Sequence, residues 1–354
     1  MISISLCMIV RNEEEILARC IDTIKDIVDE IIIVDTGSED KTKDIAFSYS
    51  DKVFDFKWLN DFSIARNYSF SKATKEYVMW LDAGDILLEN DRNKLIKLKQ
   101  DMSSDVDIVM MGYNEEFDEL GYVTRSCFRE RLLKRINNYI WKEEVHEYIE
   151  LTGKIITSDV SITRTTNRSN NKRNLKIYRK MLLRGKRICP RSLYYYAKEL
   201  CNDNKFDEAI NYYNKFLQSS NDWIEDKINA CYELAKCYKY RKDEKNQLEV
   251  LVDSIKYDAP RPEICCELGY LYKDKKEFYK AIFWFESALR VNKRDRTWSY
   301  TLNDCWAFIP YVELCVCYYE TGDVLRAIEY NELAGLYKPD APVVLYNKKF
   351  FSRI

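Results

Sequence analysis

The segment Tyr77-Val78-Met79-Trp80-Leu81-Asp82-Ala83-Gly84-Asp85 concentrates the chemistry of this chain. An apolar run stops at two carboxylates, and the Gly between them removes side-chain bulk. A buried strand that ends this way delivers charge to the rim of a sheet, and ligands of open α/β sheets collect at that carboxyl edge. Two hard oxygen ligands, Asp82 and Asp85, suit Mg²⁺ or Mn²⁺, and such an ion suits a diphosphate. A second run, Glu30-Ile31-Ile32-Ile33-Val34-Asp35, also ends in an acid and is followed by Thr36-Gly37-Ser38. Two roles are open to Asp35: accepting hydrogen bonds from a base or ribose, or capping the turn before Ser38. Ile9 to Arg11 close an earlier apolar run, where backbone and side chain can flank a nucleobase. Arg66 lies in a polar patch that opens a helix and can grip a diphosphate with its guanidinium fork. Strand-end acids and a nearby Arg together predict a nucleotide site.

The elements that must hold these residues follow from periodicity. Ser3 to Val10, Glu30 to Asp35, Lys52 to Phe56, Glu76 to Asp82 and Val106 to Tyr113 read as strands. Glu13 to Ile27, Glu39 to Tyr49 and Asp61 to Ala73 read as amphipathic helices between them. This βαβα order predicts a mostly parallel sheet with helices on both faces. From Val123 to Ile162 the pattern shifts to shorter β-like runs. They contain Glu143, Glu144, His146 and Glu147, which alternation would divide between two faces, Glu147 with Val145 and His146 with Glu144. His146 is the only His in 354 residues. It has two readings, a structural residue or a metal or phosphate contact.

From Lys172 onward the chain is helical and repetitive. Leu268-Gly269, Tyr272, Ala281, Phe285 and Ala288 stand at tetratricopeptide offsets. Related frames give Leu314-Cys315, Tyr318, Ala327, Ala334 and Pro339, then Leu234-Ala235, Tyr238 and Leu251, then Ala197, Leu200, Ala209, Tyr213 and Phe216. Small residues at such offsets let paired helices approach, and aromatics fill the gaps. An insertion from Lys293 to Trp306 carries Trp298, Tyr300 and Trp306, as a lid or as irregular packing. The stretch from Val160 to Lys198 holds 12 Lys or Arg and no acid; it could face phosphates or an acidic acceptor, and the favoured reading is the solvated face of a connecting helix.

Composition narrows the class. A hydrophobic content of 46% supports packed cores, and a formal net charge of −2 gives no basic field for nucleic acid. The 12 Cys form no CxxC pair and fit reduced thiols of a cytoplasmic protein. No apolar stretch reaches the length of a transmembrane segment.

The amino-terminal half resembles family 2 glycosyltransferases of the GT-A fold. The resemblance rests on Cys7 to Glu14, Ile31 to Ser38, Asp61 to Asn67, Trp80 to Asp85 and Glu144 to Glu147. With its helical tail the chain is similar to the bacterial subgroup of sublancin-type peptide S-glycosyltransferases. This implies a GT-A domain over 1–165, a helical linker over 166–190 and an all-α tetratricopeptide solenoid over 191–354. It implies a UDP-sugar donor, Mn²⁺ or Mg²⁺, inversion at the anomeric carbon, and a protein or peptide acceptor reacting through Ser, Thr or Cys. Ile9, Arg11, Asp35, Arg66 and Asp82 would bind the donor. Asp82, Asp85 and His146 would hold the metal, and Glu147 or Glu144 would act as base. The family pattern is an acid, any residue, then an acid, whereas here Gly84 takes the third place and the acid falls one later. A homodimer through the repeats, a lipid-linked or polysaccharide acceptor, and a scaffold working through its repeats are the further readings.

Overall fold

The computed structural model describes residues 1–166, 171–186, 188–219, 223–292 and 298–353. It divides into two compact units. The first takes residues 1–116 and 126–186 with a short stretch ending at Tyr300. The second takes Phe117–Arg125 and the chain from residue 188 on, apart from that stretch.

In the first unit the strands are β1 (Ile4–Val10), β2 (Glu30–Asp35), β3 (Val53–Asp55), β4 (Tyr77–Trp80), β5 (Asp85–Ile86), β6 (Ile108–Phe117), β7 (Val123–Lys134), β8 (Trp141–Lys142), β9 (Tyr148–Ile149) and β10 (Ile155–Arg164). The helices are α1 (Leu17–Asp22), α2 (Thr42–Tyr49), α3 (Phe62–Ser71), α4 (Glu89–Asp101) and α5 (Asn171–Leu183). The main sheet runs β3-β2-β1-β4-β7-β6-β10-β5. Strands β3, β2, β1 and β4 are mutually parallel, β7 is antiparallel to β4, and β10 is parallel to β6. The sheet is therefore mixed and mostly parallel, as the βαβα order predicts. β1 reads apolar on both faces because it is central and covered on both, and six of its seven residues are buried. The order turns at β1, with β2 and β3 to one side and β4 to the other. Such a switch point opens a crevice at the carboxyl ends.

Several elements depart from the expected bounds. α1 is short, and the turns after Asp22 mix three- and four-residue bonds, with Ile21 O accepting from Ile24 and Lys25 N–H and Ile24 O from Ile27 and Val28 N–H. β7 and β10 are long strands of the main sheet, not short runs. The segment around His146 is a loop: Glu143 and His146 have φ of 70° and 54°, which ends alternation.

Glu30 fastens the start of β2. Its carboxylate accepts the Thr74 N–H at 2.9 Å and the Thr74 hydroxyl at 2.8 Å, and also bonds Ser5 and Lys52. Burial pushes its pKa up, but Lys52 and the hydroxyl and amide donors outweigh burial and bring it to about 2 from 4.5. A lowered carboxylate stabilises the fold above its unfolded pKa, and this stabilisation fades as pH falls from about 4.5 towards 2. Glu30→Gln is therefore expected to cost about 2 kcal/mol at pH 7. Urea unfolding across pH checks this: the gap to wild type should narrow below pH 4.5, and a constant gap would refute it.

The second unit is helical: α6 (Pro190–Asn202), α7 (Phe206–Leu217), α8 (Ile224–Tyr240), α9 (Glu244–Asp253), α10 (Pro262–Asp274), α11 (Phe278–Arg290), α12 (Phe308–Glu320), α13 (Val324–Tyr337) and α14 (Pro342–Phe351). Its core uses the repeat positions: Leu268, Ala281, Phe285, Leu314 and Ala327 are fully buried. A Cβ on Gly269 would stand 2.7 Å from the Phe285 ring, so the small residue is what lets α10 and α11 close. Of the aromatic insertion, residues 293–297 lie outside the described residues, as do Arg168 and Arg187 of the basic stretch. Tyr300 packs on the core of the first unit.

Candidate active site

The site is built from three chain segments at the carboxyl edge of the sheet. β4 ends at Trp80, two residues before the expected Asp82, and a compact turn follows. Asp85 N–H donates to Asp82 O at 2.9 Å, and Asp82 N–H donates back to the Asp85 carboxylate at 3.1 Å. α3 supplies Arg66. Asp61 caps that helix by accepting the Ile64 N–H at 3.1 Å. Asn67 grips β8 from both sides, donating to Trp141 O at 2.9 Å and accepting Trp141 N–H at 2.8 Å. The loop between β8 and β9 supplies Glu147.

Arg66 joins them. Its Nη2 donates to Asp82 at 2.8 Å and its Nε to Glu147 at 2.6 Å. The guanidinium lies 4.7 Å from the Trp80 ring and 5.0 Å from Trp141, and only 8% of the side chain is exposed. Burial works against its charge, but Asp82 and Glu147 more than compensate and raise its pKa. Asp82 is half-exposed. Burial pushes its pKa up, yet Arg66 and Arg131 outweigh this and hold it well below the usual carboxylate range.

Asp85 faces the other way. Its side chain is 1% exposed and pairs with Arg131 at 3.0 Å, while Tyr113 donates its hydroxyl at 3.1 Å. Burial raises its pKa against the pull of Arg131, and Asp82 adds to the rise. Arg131 itself is sealed against Trp80 at 3.8 Å and Tyr113 at 4.6 Å. The two acids of the turn thus divide, one towards the rim and one into the core.

Ile9 and Asp35 close their strands side by side, with Val10 in register with Asp35 and Ile9 with Val34. Arg11 follows on the exposed rim. The Asp35 carboxylate accepts N–H bonds from Gly37 at 3.1 Å and Ser38 at 3.0 Å. Its oxygens hold the turn into α2, the capping alternative. Asn12, at a φ of 54°, ties the two strand ends together by donating to Ser38 and accepting from Glu39. Glu144 pairs with Lys186, and its backbone carbonyl accepts the Phe62 N–H at 2.9 Å. His146 stacks on Tyr178 of α5, ring centroids 6.4 Å apart.

The structure thus gathers Arg66, Asp82 and Glu147 on one guanidinium, sets Ile9, Arg11 and Asp35 on the neighbouring strand ends, and places Asp85 and His146 in other surroundings. The residues do not form a cradle for a divalent cation. Asp85 is spent on Arg131, and the His146 ring lies against Tyr178 of α5. Among the described residues no group of three His, Cys, Asp or Glu is arranged to hold a metal ion. Sequence reading passed over Trp141, Arg131, Tyr113 and Arg173. The first was visible as an aromatic beside Glu144, and Arg131 as an Arg on an alternating apolar strand. Arg173 lay in the acid-free basic stretch read as solvated.

The Glycosyl transferase family 2 model matches residues 5–156, and a tetratricopeptide repeat model matches 262–295. The SPbeta prophage-derived glycosyltransferase SunS of Bacillus subtilis is 28% identical over 61% of this chain and 54% of its own length. A TPR repeat-containing protein of Synechococcus elongatus is 47% identical over 25% of this chain and 22% of its own length. The chain therefore spans about half or less of these curated relatives. Among solved structures, glucosyl-3-phosphoglycerate synthase of Mycobacterium tuberculosis is 22% identical, with a TM-score of 0.28, covering 32% of this chain and 44% of that one. The domain that holds this site is a family 2 glycosyltransferase domain, homologous to that of SunS, and the chain joins it to a tetratricopeptide repeat in its carboxyl-terminal half.

Proposed function

We propose that the protein transfers a sugar from a UDP-sugar to a Ser, Thr or Cys side chain of a protein or peptide, with inversion. The observation that carries this reading is Arg66 shared between Asp82 and Glu147 at the β1/β4 switch point of a family 2 domain. Ile9, Arg11 and Asp35 would border the base and ribose, Asp35 through the turn it holds. In the step itself a lone pair of the acceptor oxygen or sulfur forms the bond to the anomeric carbon. The bond from that carbon to the diphosphate oxygen breaks, and its electron pair leaves on the diphosphate. The acceptor proton passes to Glu147, with Glu144 as the second candidate. Arg66 is placed to balance both charges, the diphosphate on one side and the base on the other.

The macromolecular acceptor is supported by the repeat-bearing second unit, since stacked helical repeats offer long surfaces for peptides. Domain bounds of 1–165, 166–190 and 191–354, a homodimer through the repeats and a cytoplasmic location belong to the same proposal. All 12 cysteines are free thiols, in keeping with a reducing compartment. Among the described residues no helix is long and apolar enough to cross a membrane. On the basic helix α5, Leu175, Ile177 and Met181 are buried, while Leu182 is exposed.

The test is a calorimetric titration with UDP followed by mass spectrometry of host proteins incubated with a panel of UDP-sugars. A hexose-sized mass shift on a peptide, absent with Glu147→Gln, is expected. UDP binding without any modified protein would move the acceptor to a lipid or polysaccharide, and no nucleotide binding would leave the repeats as the working part.

A further inference from the structure

Three observations set the side chains of the Asp82 turn against a resident cation. The Asp85 carboxylate, 1% exposed, is taken up by Arg131, Tyr113 and the Asp82 N–H. Position 84 supplies no side-chain ligand, the Thr166 hydroxyl lies against its Cα, and the Gly84 carbonyl already accepts the Thr165 N–H at 2.8 Å. Asp82 is left alone, and its Oδ1 is held by Arg66 at 2.8 Å. An ion bound to Asp82 would sit beside a buried guanidinium that Asp82 and Glu147 already share.

Two guanidinium groups reach the same place. Arg66 uses Nε and Nη2 on its two carboxylates, and its Nη1 has no hydrogen-bond partner among the described residues. Arg173, in the first turns of α5, is exposed and stands over the Phe62 ring at 4.6 Å. Phe62 opens α3 one turn before Arg66, so Arg173 lies over the first turn of the helix that carries Arg66. Among the described residues no carboxylate forms an ion pair with it. An arginine held by an aromatic face, close to a buried arginine with a spare amino group, suits a diphosphate.

We infer that Arg173 from the rim and Arg66 from within neutralise the departing diphosphate, in the role expected of a divalent cation. The inference rests on the UDP-sugar reading and assigns the charge-balancing groups of that same site. As the bond to the anomeric carbon breaks, the electron pair left on the diphosphate oxygen meets two guanidinium groups. The basic stretch that holds Arg173 gains a task at its amino-terminal end, while the rest of it remains a helix surface.

The experiment is binding of UDP and of uridine to the full chain, in EDTA and in MnCl₂, by calorimetry and ligand-detected NMR. UDP affinity in EDTA is expected within about threefold of that in Mn²⁺. Arg173→Ala should weaken UDP by roughly ten- to a hundredfold, leave uridine unchanged, and be partly rescued by Arg173→Lys. A more than tenfold loss of UDP affinity in EDTA, or an Arg173→Ala protein that binds UDP as wild type does, overturns the inference while the UDP-sugar reading stands. Failure of both uridine and UDP in both buffers overturns that reading, and the inference with it.

Discussion

Arg66→Ala is expected to lower sugar transfer by about two to three orders of magnitude, the usual cost of removing a preorganised charge from the place where an anion develops. Two losses combine in this number. The diphosphate loses a donor fixed between the Trp80 and Trp141 rings at 4.7 and 5.0 Å, and Glu147 loses the partner that orients it at 2.6 Å. The change also leaves a carboxylate, Glu147, whose side chain is only 12% exposed, without its cation. A stability loss of about 3 kcal/mol should accompany the rate effect. Arg66→Lys separates the two. A lysine keeps the charge but cannot span Asp82 and Glu147 with one fork, so stability should recover more than rate does. Steady-state kinetics beside urea unfolding reads both. If Arg66→Lys restored the full rate, the shared fork would not be the working device.

The backbone of this site was legible and its inner partners were not. The runs that became β1, β2 and β4 are mostly apolar, and each ends at or near a polar residue at the rim, so Arg11, Asp35 and Asp82 were placed at one edge from pattern alone. The Asp61 to Asn67 motif read as the opening of a helix, and Asn67 proved to clamp Trp141 with both amide atoms. The repeat offsets likewise named the buried residues, down to Gly269 under Phe285. Periodicity says which face a side chain takes, not which partner waits there. Asp85 and Arg131 lie 46 positions apart and meet only because β7 is drawn in beside β4. Thr166 closes position 84 from a segment that follows β10, and no local pattern in Trp80 to Asp85 foretells it. The loop from Glu143 to Glu147 misled for a simpler reason. Two residues other than glycine take left-handed backbone there, so a stretch that reads as alternating does not alternate.

Loss of Asp85 should be felt in the fold before it is felt in the chemistry. Asp85→Ala strands Arg131, whose side chain is 1% exposed and pressed between Trp80 and Tyr113, so about 3–5 kcal/mol of stability should go with it. Asp82→Ala, at a half-exposed carboxylate, should cost under about 1 kcal/mol while reducing transfer. The two acids of one turn are thus expected to part company: one governs unfolding, the other turnover. A metal pair would behave differently, since both changes would then abolish cation binding and leave the unfolding midpoint of the metal-free protein nearly untouched. Replacing both members of the buried pair by apolar residues of similar size, Asp85→Leu with Arg131→Met, should recover much of the lost stability, because the unpaired charge disappears along with its partner. The coupling energy from that double-mutant cycle measures the brace directly. Additive effects, with Asp85→Leu alone as stable as wild type in urea, would show that Arg131 does not depend on Asp85 and would return this carboxylate to the ligand side of the turn.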